Sequence, residues 1–225
     1  MAEAAARDDL SVVVLTGEGR SFCAGTDLLE MAAIATSMST PAADGSTEPY
    51  PPSTAGKGFS RFIEQLMTFP KPLIAAVNGA GVGLGLTMLA HCDLVLVADT
   101  ARLKAPFAEM GVAPEAGSSY LLPVRMGMQA AALALYTSRW ISAEEAVASG
   151  LALRSVPAGE LLPEAHALAH EVASMPLASL VATKRLLLDA RADAVQAARD
   201  REDAAFAVLL KDQGAAAQVL GQLDR

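Results

Sequence analysis

The stretch KPLIAAVNGAGVGLGLTMLAHCDLVLVADTARL, residues 71–103, decides the fold class. Its apolar runs at 73–79 and 93–99 are predicted strands, because aliphatic residues follow one another without alternation, as in strands buried on both faces. A glycine-rich segment, 78–85, and a short helix over 86–92 separate them. Two buried strands joined by a helix are the repeating unit of a parallel sheet, so the sequence predicts an α/β fold.

The flanking sequence extends this pattern in both directions. The run SVVVLTG, residues 11–17, predicts an earlier buried strand, and residues 152–157 predict a last short one. From about residue 160 the chain is predicted to be helical, with a long amphipathic stretch over 177–211. We therefore expect a core over residues 1–160 and a helical C-terminal region over residues 161–225.

The composition excludes several classes of function. Of the 225 residues, 52% are apolar and 19% are charged, so most of the chain is expected to fold. The net charge of -8 argues against a basic face for nucleic acid and against binding to an anionic membrane. Two cysteines cannot form a disulfide framework, and no apolar run reaches the ~20 residues of a membrane helix. We expect a cytoplasmic protein without nucleic-acid or membrane partners.

The glycine-rich segment NGAGVGLG, residues 78–85, invites a dinucleotide-binding interpretation, because Asp99 ends the next strand where a ribose-binding acid would lie. The spacing contradicts this interpretation. Glycines fall at 79, 81, 83 and 85, and neither Gly79 nor Gly81 begins a G-x-G-x-x-G pattern. Two alternatives remain: a tight turn, or a loop whose backbone N–H groups face a ligand oxygen.

A second turn of small residues lies in RSFCAGTDL, residues 20–28, directly after the first buried strand. Small residues let a backbone approach a ligand closely, although an ordinary turn with Asp27 as a helix N-cap is the alternative. Two such turns after two buried strands could supply two converging N–H donors, which form an oxyanion hole. The polar, proline-broken residues 36–58 then predict a mobile loop at the lip of the site.

Three segments in this order resemble the crotonase (enoyl-CoA hydratase/isomerase) superfamily: VVVLTGEGRSFCAGTDL (12–28), the stretch 71–103, and WISAEEAVASGL (140–151). The resemblance implies a spiral of β-β-α turns with a helical C-terminal trimerisation region, and hence a homotrimer or a dimer of trimers. It implies an acyl-CoA thioester as substrate, with no cofactor beyond the coenzyme A that the substrate carries. The family's N-terminal hairpin and helix are expected to be missing before residue 11.

The same resemblance assigns roles to individual residues. The N–H groups of Ala24 and Leu84 correspond to the oxyanion hole that holds the thioester oxygen. Lys184 matches a position near the CoA phosphates, with a salt-bridged helix lysine as the alternative. The residues expected to contact the substrate are Cys23, Gly25, Thr26, Asp27, Leu28, Gly83, Phe107 and Lys184. His166 and His170 lack a third ligand, so no metal site is predicted.

The carboxylates distinguish the chemistries of this superfamily. The two glutamates of a typical hydratase correspond to Thr87 and Phe107, neither of which can transfer a proton. The stretch APFAEMGVAPEAGSSYLLP, residues 105–123, instead resembles the Δ3,Δ2-enoyl-CoA isomerases, whose single catalytic glutamate falls on Glu115. Glu109 is the rival acid and is expected to face outward. The alternatives are a hydratase-like enzyme with unusual acids, or a catalytically idle acyl-CoA-binding paralogue.

Overall fold

The computed structural model describes residues 1–25 and 57–210. Its strands are β1 (Val13–Thr16), β2 (Ser21–Cys23), β3 (Leu73–Val77), β4 (Ala80–Val82), β5 (Leu94–Ala98), β6 (Arg102–Lys104), β7 (Trp140–Ser142) and β8 (Arg154–Val156). Its helices are α1 (Ala2–Ala6), α2 (Lys57–Thr68), α3 (Leu84–Thr87), α4 (Ser118–Met126), α5 (Met128–Thr137), α6 (Ala143–Ala148), α7 (Leu161–Ala173), α8 (Leu177–Asp189) and α9 (Ala192–Leu210). Short 3₁₀ turns lie at Met88–Ala90 and Ala158–Glu160.

The first sheet has the order β1-β3-β5-β8, and every neighbouring pair is parallel. All five residues of β3 are buried, as the uninterrupted apolar run predicts. These four strands are the ones that the sequence predicts, so the α/β fold class is confirmed.

The second sheet has the order β2-β4-β6-β7. Its strands do not stand out as apolar runs, although the β-β-α turns that the resemblance implied require them. Strands β1, β3 and β5 of the first sheet are each followed in the chain by a strand of the second sheet, namely β2, β4 and β6. This alternation gives a spiral of β-β-α turns. It also places the ends of β2 and β4 side by side, because these strands pair in parallel.

The C-terminal helices pack onto this core. Helix α7 lies against the first sheet, with Leu161 and Ala165 buried. The stretch 177–211 was expected as one amphipathic run; its described part, 177–210, is divided into α8 and α9 by Ala190 and Arg191. Helix α9 packs on α4 and buries Val195 and Ala198. Among the helices of the described ranges, none is long and apolar enough to cross a membrane.

Candidate active site

Two backbone turns meet at the carboxyl ends of β2 and β4. A Cβ atom at Gly85 would lie 2.5 Å from the carbonyl oxygen of Cys23, and one at Gly25 would lie 3.0 Å from that of Val82. Gly25 and Gly83 have φ of +100° and +54°, a region that side chains rarely adopt. Only residues without a side chain allow the two turns this close, so the local sequence dictates the contact.

Leu84 is the first residue of α3, so its N–H group has no acceptor within the helix. The preceding Gly83 fixes the turn, because its N–H donates to the carbonyl of Lys104 at 2.9 Å. Its own carbonyl accepts from Leu86 and Thr87 at 2.9 and 3.0 Å. The turn that carries Leu84 is therefore held from both sides, beside the turn that carries Ala24.

A cavity of about 230 Å³ opens beside these turns. The two turns contribute Ala24, Gly25, Val82, Gly83 and Leu84 to its wall. The segment after β5 contributes Lys104, Pro106, Phe107, Glu109, Met110, Val112 and Glu115. Trp140 of β7 and Phe206 of α9 complete the lining. The cavity is thus mainly apolar, with two carboxylates and one ammonium group.

Glu115 lies in the turn between β6 and α4, partly accessible where it faces the cavity and otherwise enclosed by protein. Burial raises its pKa to about 8, with further contributions from the negative charges of Glu202 and Asp203. A carboxylate with a pKa near neutrality can both accept and return a proton during turnover.

The turn around Glu115 is held by side chains from two other elements. Ala116 has φ of +64°, an uncommon conformation for a residue with a side chain. The His91 Nε2 atom lies 2.7 Å from the Ala116 carbonyl oxygen. The Glu202 carboxylate of α9 accepts the N–H groups of Gly117 and Ser119, both at 2.7 Å.

The positions that carry glutamates in hydratases hold no acid here. Thr87 is fully buried, and Phe107 lines the cavity. Glu109 was expected to face outward; it is exposed, but it also lies on the cavity wall, where it pairs with Lys104 at 2.5 Å. Lys104 also lies 5.8 Å from the ring centroid of Trp140. The ion pair therefore engages the Glu109 carboxylate on the cavity wall.

The structure brings together Ala24, Gly25, Gly83, Leu84, Phe107 and Glu115, and all of them line the cavity. Cys23 is half-buried and contributes its carbonyl to the turn contact. Thr26, Asp27, Leu28 and residues 36–56 of the expected lip lie outside the described residues, whereas 57 and 58 begin α2.

Lys184 lies elsewhere. Its ammonium group is buried and lies 2.7 Å from both carboxylate oxygens of Asp93, which matches the alternative of a salt-bridged helix lysine. The expected contact with CoA phosphates therefore has no support from its position. Within residues 1–25 and 57–210, no cluster of three potential metal ligands occurs.

Sequence reasoning missed several cavity residues, among them Lys104, Trp140 and Phe206. The first two belong to the second sheet, and the third comes from α9, about a hundred residues further along the chain. One feature of the sequence could have indicated that Phe206 packs against the core, because it is the single aromatic residue of α9. Glu202 was also missed, because nothing local distinguishes it from the other acidic residues of that helix.

The chain belongs to the enoyl-CoA hydratase/isomerase family, whose sequence profile matches residues 2–216. Its spiral is therefore the crotonase-type fold that the resemblance implied. The family acts on acyl-CoA thioesters.

The chain is similar to enoyl-CoA delta isomerase 2 of Rattus norvegicus, with 32% identity over 88% of this chain and 48% of that protein. A solved enoyl-CoA hydratase from Mycobacterium marinum is 46% identical and has a TM-score of 0.71 over 84% of this chain and 82% of its own. An enoyl-CoA hydratase/isomerase structure from Pseudoalteromonas atlantica has 32% identity and a TM-score of 0.84, over 99% and 82% of the two chains. The chain spans between 48% and 67% of the length of four curated relatives.

Proposed function

We propose that this protein isomerises 3-enoyl-CoA to 2-trans-enoyl-CoA. The observation that carries the proposal is the placement of Glu115, a largely enclosed carboxylate with a pKa of about 8, in one cavity with Ala24 and Leu84. Thr87 and Phe107 supply no second acid at the positions where a hydratase carries one. A single carboxylate suffices for isomerisation, since no water is added.

In this mechanism the thioester oxygen accepts the N–H groups of Ala24 and Leu84. The ionised Glu115 removes a proton from C2, and the electrons of that C–H bond form the enolate, whose negative oxygen the two N–H groups stabilise. The protonated Glu115 then returns the proton to C4, while the double bond forms between C2 and C3. Atoms and charge balance, and the ionised Glu115 is restored without a cofactor beyond the substrate's own coenzyme A.

A hydratase-like activity is the second candidate, and the position of Glu109 favours it. Glu109 lines the same cavity as Glu115, so two carboxylates face the substrate, as hydration requires. The pairing of Glu109 with Lys104 argues against this role. A water molecule or the substrate would have to compete with Lys104 for the carboxylate oxygens of Glu109.

The experiment compares wild type, Glu115→Gln and Glu109→Gln with a 3-enoyl-CoA and a 2-enoyl-CoA as substrates. We expect Glu115→Gln to lower isomerase kcat by roughly 10²–10⁴-fold, because the amide cannot accept a proton, while KM changes little. Glu109→Gln is the matched control and should keep isomerase activity. Loss of activity in Glu109→Gln with activity kept in Glu115→Gln would reverse the assignment. Hydration of 2-enoyl-CoA that needs both glutamates would support the second candidate, and an inactive wild type would support the idle paralogue.

The proposal includes a homotrimeric or hexameric assembly in the cytoplasm. The support for assembly is apolar surface on the C-terminal helices, where Leu186 and Leu187 are 72% and 60% exposed. Apolar side chains exposed in neighbouring positions are typical of interfaces between subunits.

A further inference from the structure

The buried carboxylate of Glu202 has no role in the proposed mechanism. Only 4% of its surface is exposed, and it comes from α9, far along the chain from the other site residues. Its Oε2 accepts the N–H of Gly117 and its Oε1 accepts the N–H of Ser119. These two N–H groups lie at the start of α4, where a helix leaves donors without intrahelical acceptors. Both oxygens of one carboxylate thus hold the segment that follows Glu115.

We propose that Glu202 is a positioning residue for Glu115: it fixes the 115–119 turn and places a negative charge beside the catalytic carboxylate. The inference rests on the proposed function of Glu115. It adds a second function to α9, which would set the position and the proton affinity of the active-site acid as well as cover the cavity.

The first argument is geometric. Ala116 and Gly117 both have positive φ, at 64° and 72°, so the turn adopts a conformation that the chain would not favour alone. A Cβ atom at Gly117 would lie 2.9 Å from the Val195 side chain, which shows how tightly α9 packs against this turn. The two hydrogen bonds from Glu202 hold the backbone in this conformation. Without them, Glu115 would lose its fixed direction toward the cavity.

The second argument is electrostatic. After burial, the charge of Glu202 is the largest contribution to the raised pKa of Glu115. Burial also raises the pKa of Glu202, but the N–H groups of Gly117 and Ser119 oppose this by stabilising its ionised form. Burial is thus the main cause that raises the pKa of both carboxylates, and the hydrogen bonds from Ser119 and Gly117 favour the ionised form of Glu202.

The other charged groups near Glu115 do not replace this effect. Asp203, also on α9, raises the pKa of Glu115 less than Glu202 does. Burial raises the pKa of Asp203 itself, and the positive charge of Arg199 opposes that rise. His91 is buried with a pKa lowered to about 4, so it carries no charge near neutrality. Lys104, which also lines the cavity, pairs with Glu109.

Helix α9 links this charge to the cavity. Phe206 lies four residues after Glu202, so both side chains project from the same face of the helix. Phe206 lines the cavity while Glu202 holds the acid's turn. Docking of this one helix therefore completes the apolar wall and raises the proton affinity of Glu115 together.

The experiment measures the Glu115 pKa directly, by carbon-13 NMR titration of the glutamate carboxyl carbons, with Glu115→Gln to assign the signal. Isomerase kcat and KM are measured across pH on the same samples. The variants are Glu202→Gln, which removes the charge, Asp203→Asn, which removes a neighbouring charge that does not hold the turn, and Asp200→Asn, an exposed control on the same helix.

We expect Glu202→Gln to lower the Glu115 pKa by about one unit and to lower the plateau kcat roughly tenfold, with KM nearly unchanged. Asp203→Asn should lower the pKa less and keep the plateau kcat, and Asp200→Asn should change neither. A Glu115 pKa in Glu202→Gln equal to that in Asp200→Asn, or an unchanged plateau kcat, overturns the proposal. A uniform loss of kcat with an unshifted pKa indicates a structural role only.

Two features keep the test decisive. If Glu202→Gln does not fold, Glu202→Asp replaces it, because this variant keeps the charge on a shorter side chain. It should lower the plateau kcat while the Glu115 pKa stays high. Full activity in Glu202→Asp contradicts the proposal. If the wild type has no isomerase activity, the proposed function fails, whereas the NMR titration still decides whether Glu202 controls Glu115.

Discussion

The Nε2 atom of His91 lies 2.7 Å from the carbonyl oxygen of Ala116. A carbonyl oxygen only accepts, so Nε2 carries the hydrogen, and the ring is neutral because burial lowers the pKa of His91 to about 4. His91 follows the 3₁₀ turn that continues α3, and Ala116 follows Glu115. This hydrogen bond therefore connects the element that begins with Leu84 to the turn that carries the acid.

Replacement of His91 by phenylalanine should destabilise the protein and lower its turnover. The Ala116 carbonyl would lose a buried donor, which costs about 1–3 kcal/mol of unfolding free energy. The turn would also relax from its positive φ, and Glu115 would be less well oriented. Urea unfolding and isomerase kinetics measure the two effects. His166→Phe, at an exposed position of α7, is the control and should match the wild type in both measurements. Equal stability of His91→Phe and wild type would contradict a stabilising role of the hydrogen bond between His91 and Ala116.

Replacement of Gly85 by alanine should disrupt the pair of N–H donors. The new Cβ atom would lie 2.5 Å from the Cys23 carbonyl oxygen, so one of the two turns must move. Because each donor must lie about 2.7–3.1 Å from the oxyanion, we expect a fall of roughly 10²-fold in kcat. Gly159→Ala is the matched control, since nothing lies within 4 Å of its new Cβ atom. A near-normal kcat in Gly85→Ala would contradict the proposed role of these two turns in binding the oxyanion.

The sequence was sufficient for the first sheet because β1, β3, β5 and β8 come from apolar runs that need no partner to be recognised. The second sheet was implied by the resemblance but could not be recognised from the residue pattern, for a physical reason. Its strands have three residues each, and they include Gly81, Arg102 and Lys104, which interrupt any apolar pattern. Their pairing is determined by the closure of the spiral, which depends on contacts far apart in sequence.

The site residues that lie in backbone turns could be predicted from the sequence. Those that reach the site only through the packing of a distant helix could not. Ala24, Leu84 and Glu115 lie in turns with recognisable residue patterns, and the structure places them on one cavity. Glu202 and Phe206 reach the site only through the docking of α9, and a helix sequence does not reveal what its face will contact. For Lys184 the sequence left two alternatives open, and the pair with Asp93 matches the salt-bridged one; its partner could not be named because it lies 91 residues away in the chain.

The pH dependence of turnover should report the raised pKa of Glu115. As the base that removes the C2 proton, Glu115 must be ionised, so kcat/KM should rise with pH and level off above its pKa of about 8. A midpoint near 4.5, the ordinary value for glutamate, would contradict the role of burial. Rates for wild type from pH 5 to about 9.5 measure this directly.

The same pKa shift has a consequence for stability. Because the folded state raises the Glu115 pKa from 4.5 to about 8, folding takes up a proton between these values, and stability falls as pH rises through this window. Glu115→Gln removes this effect, so the variant should gain stability relative to wild type as pH rises. We expect the gain to reach the order of 1–3 kcal/mol, since solvent that enters the open cavity reduces the full shift. Thermal unfolding at pH 5 and pH 9 tests it; a constant difference would contradict it.

Replacement of Lys184 by methionine should destabilise the protein without affecting acyl-CoA binding. Asp93, whose side chain is 24% exposed, would keep its charge without its ammonium partner, and the loss of these charged hydrogen bonds costs about 1.5–3 kcal/mol. Arg185→Met is the matched control, because its exposed ion pair with Asp189 contributes roughly 0–1 kcal/mol. Chemical unfolding and acyl-CoA binding by calorimetry measure the two properties. Normal stability with weakened binding would instead support the CoA-phosphate contact that the resemblance implied.

Exposed apolar side chains on the C-terminal helices predict an assembly of several chains. Leu186 and Leu187 of α8 and Val208 of α9 are 72%, 60% and 70% exposed in a single chain. Covering apolar surface stabilises an association by about 25 cal/mol per Å², so these side chains favour contact with another copy. We expect sedimentation at micromolar concentration to give three or six chain masses. Leu186→Glu should shift the distribution toward the single chain, because a carboxylate would lose its hydration in the interface. Leu153→Glu, at an exposed apolar position before β8, serves as the control. A wild-type protein that sediments as a single chain would contradict the assembly, and an oligomer insensitive to Leu186→Glu would place the interface on another face.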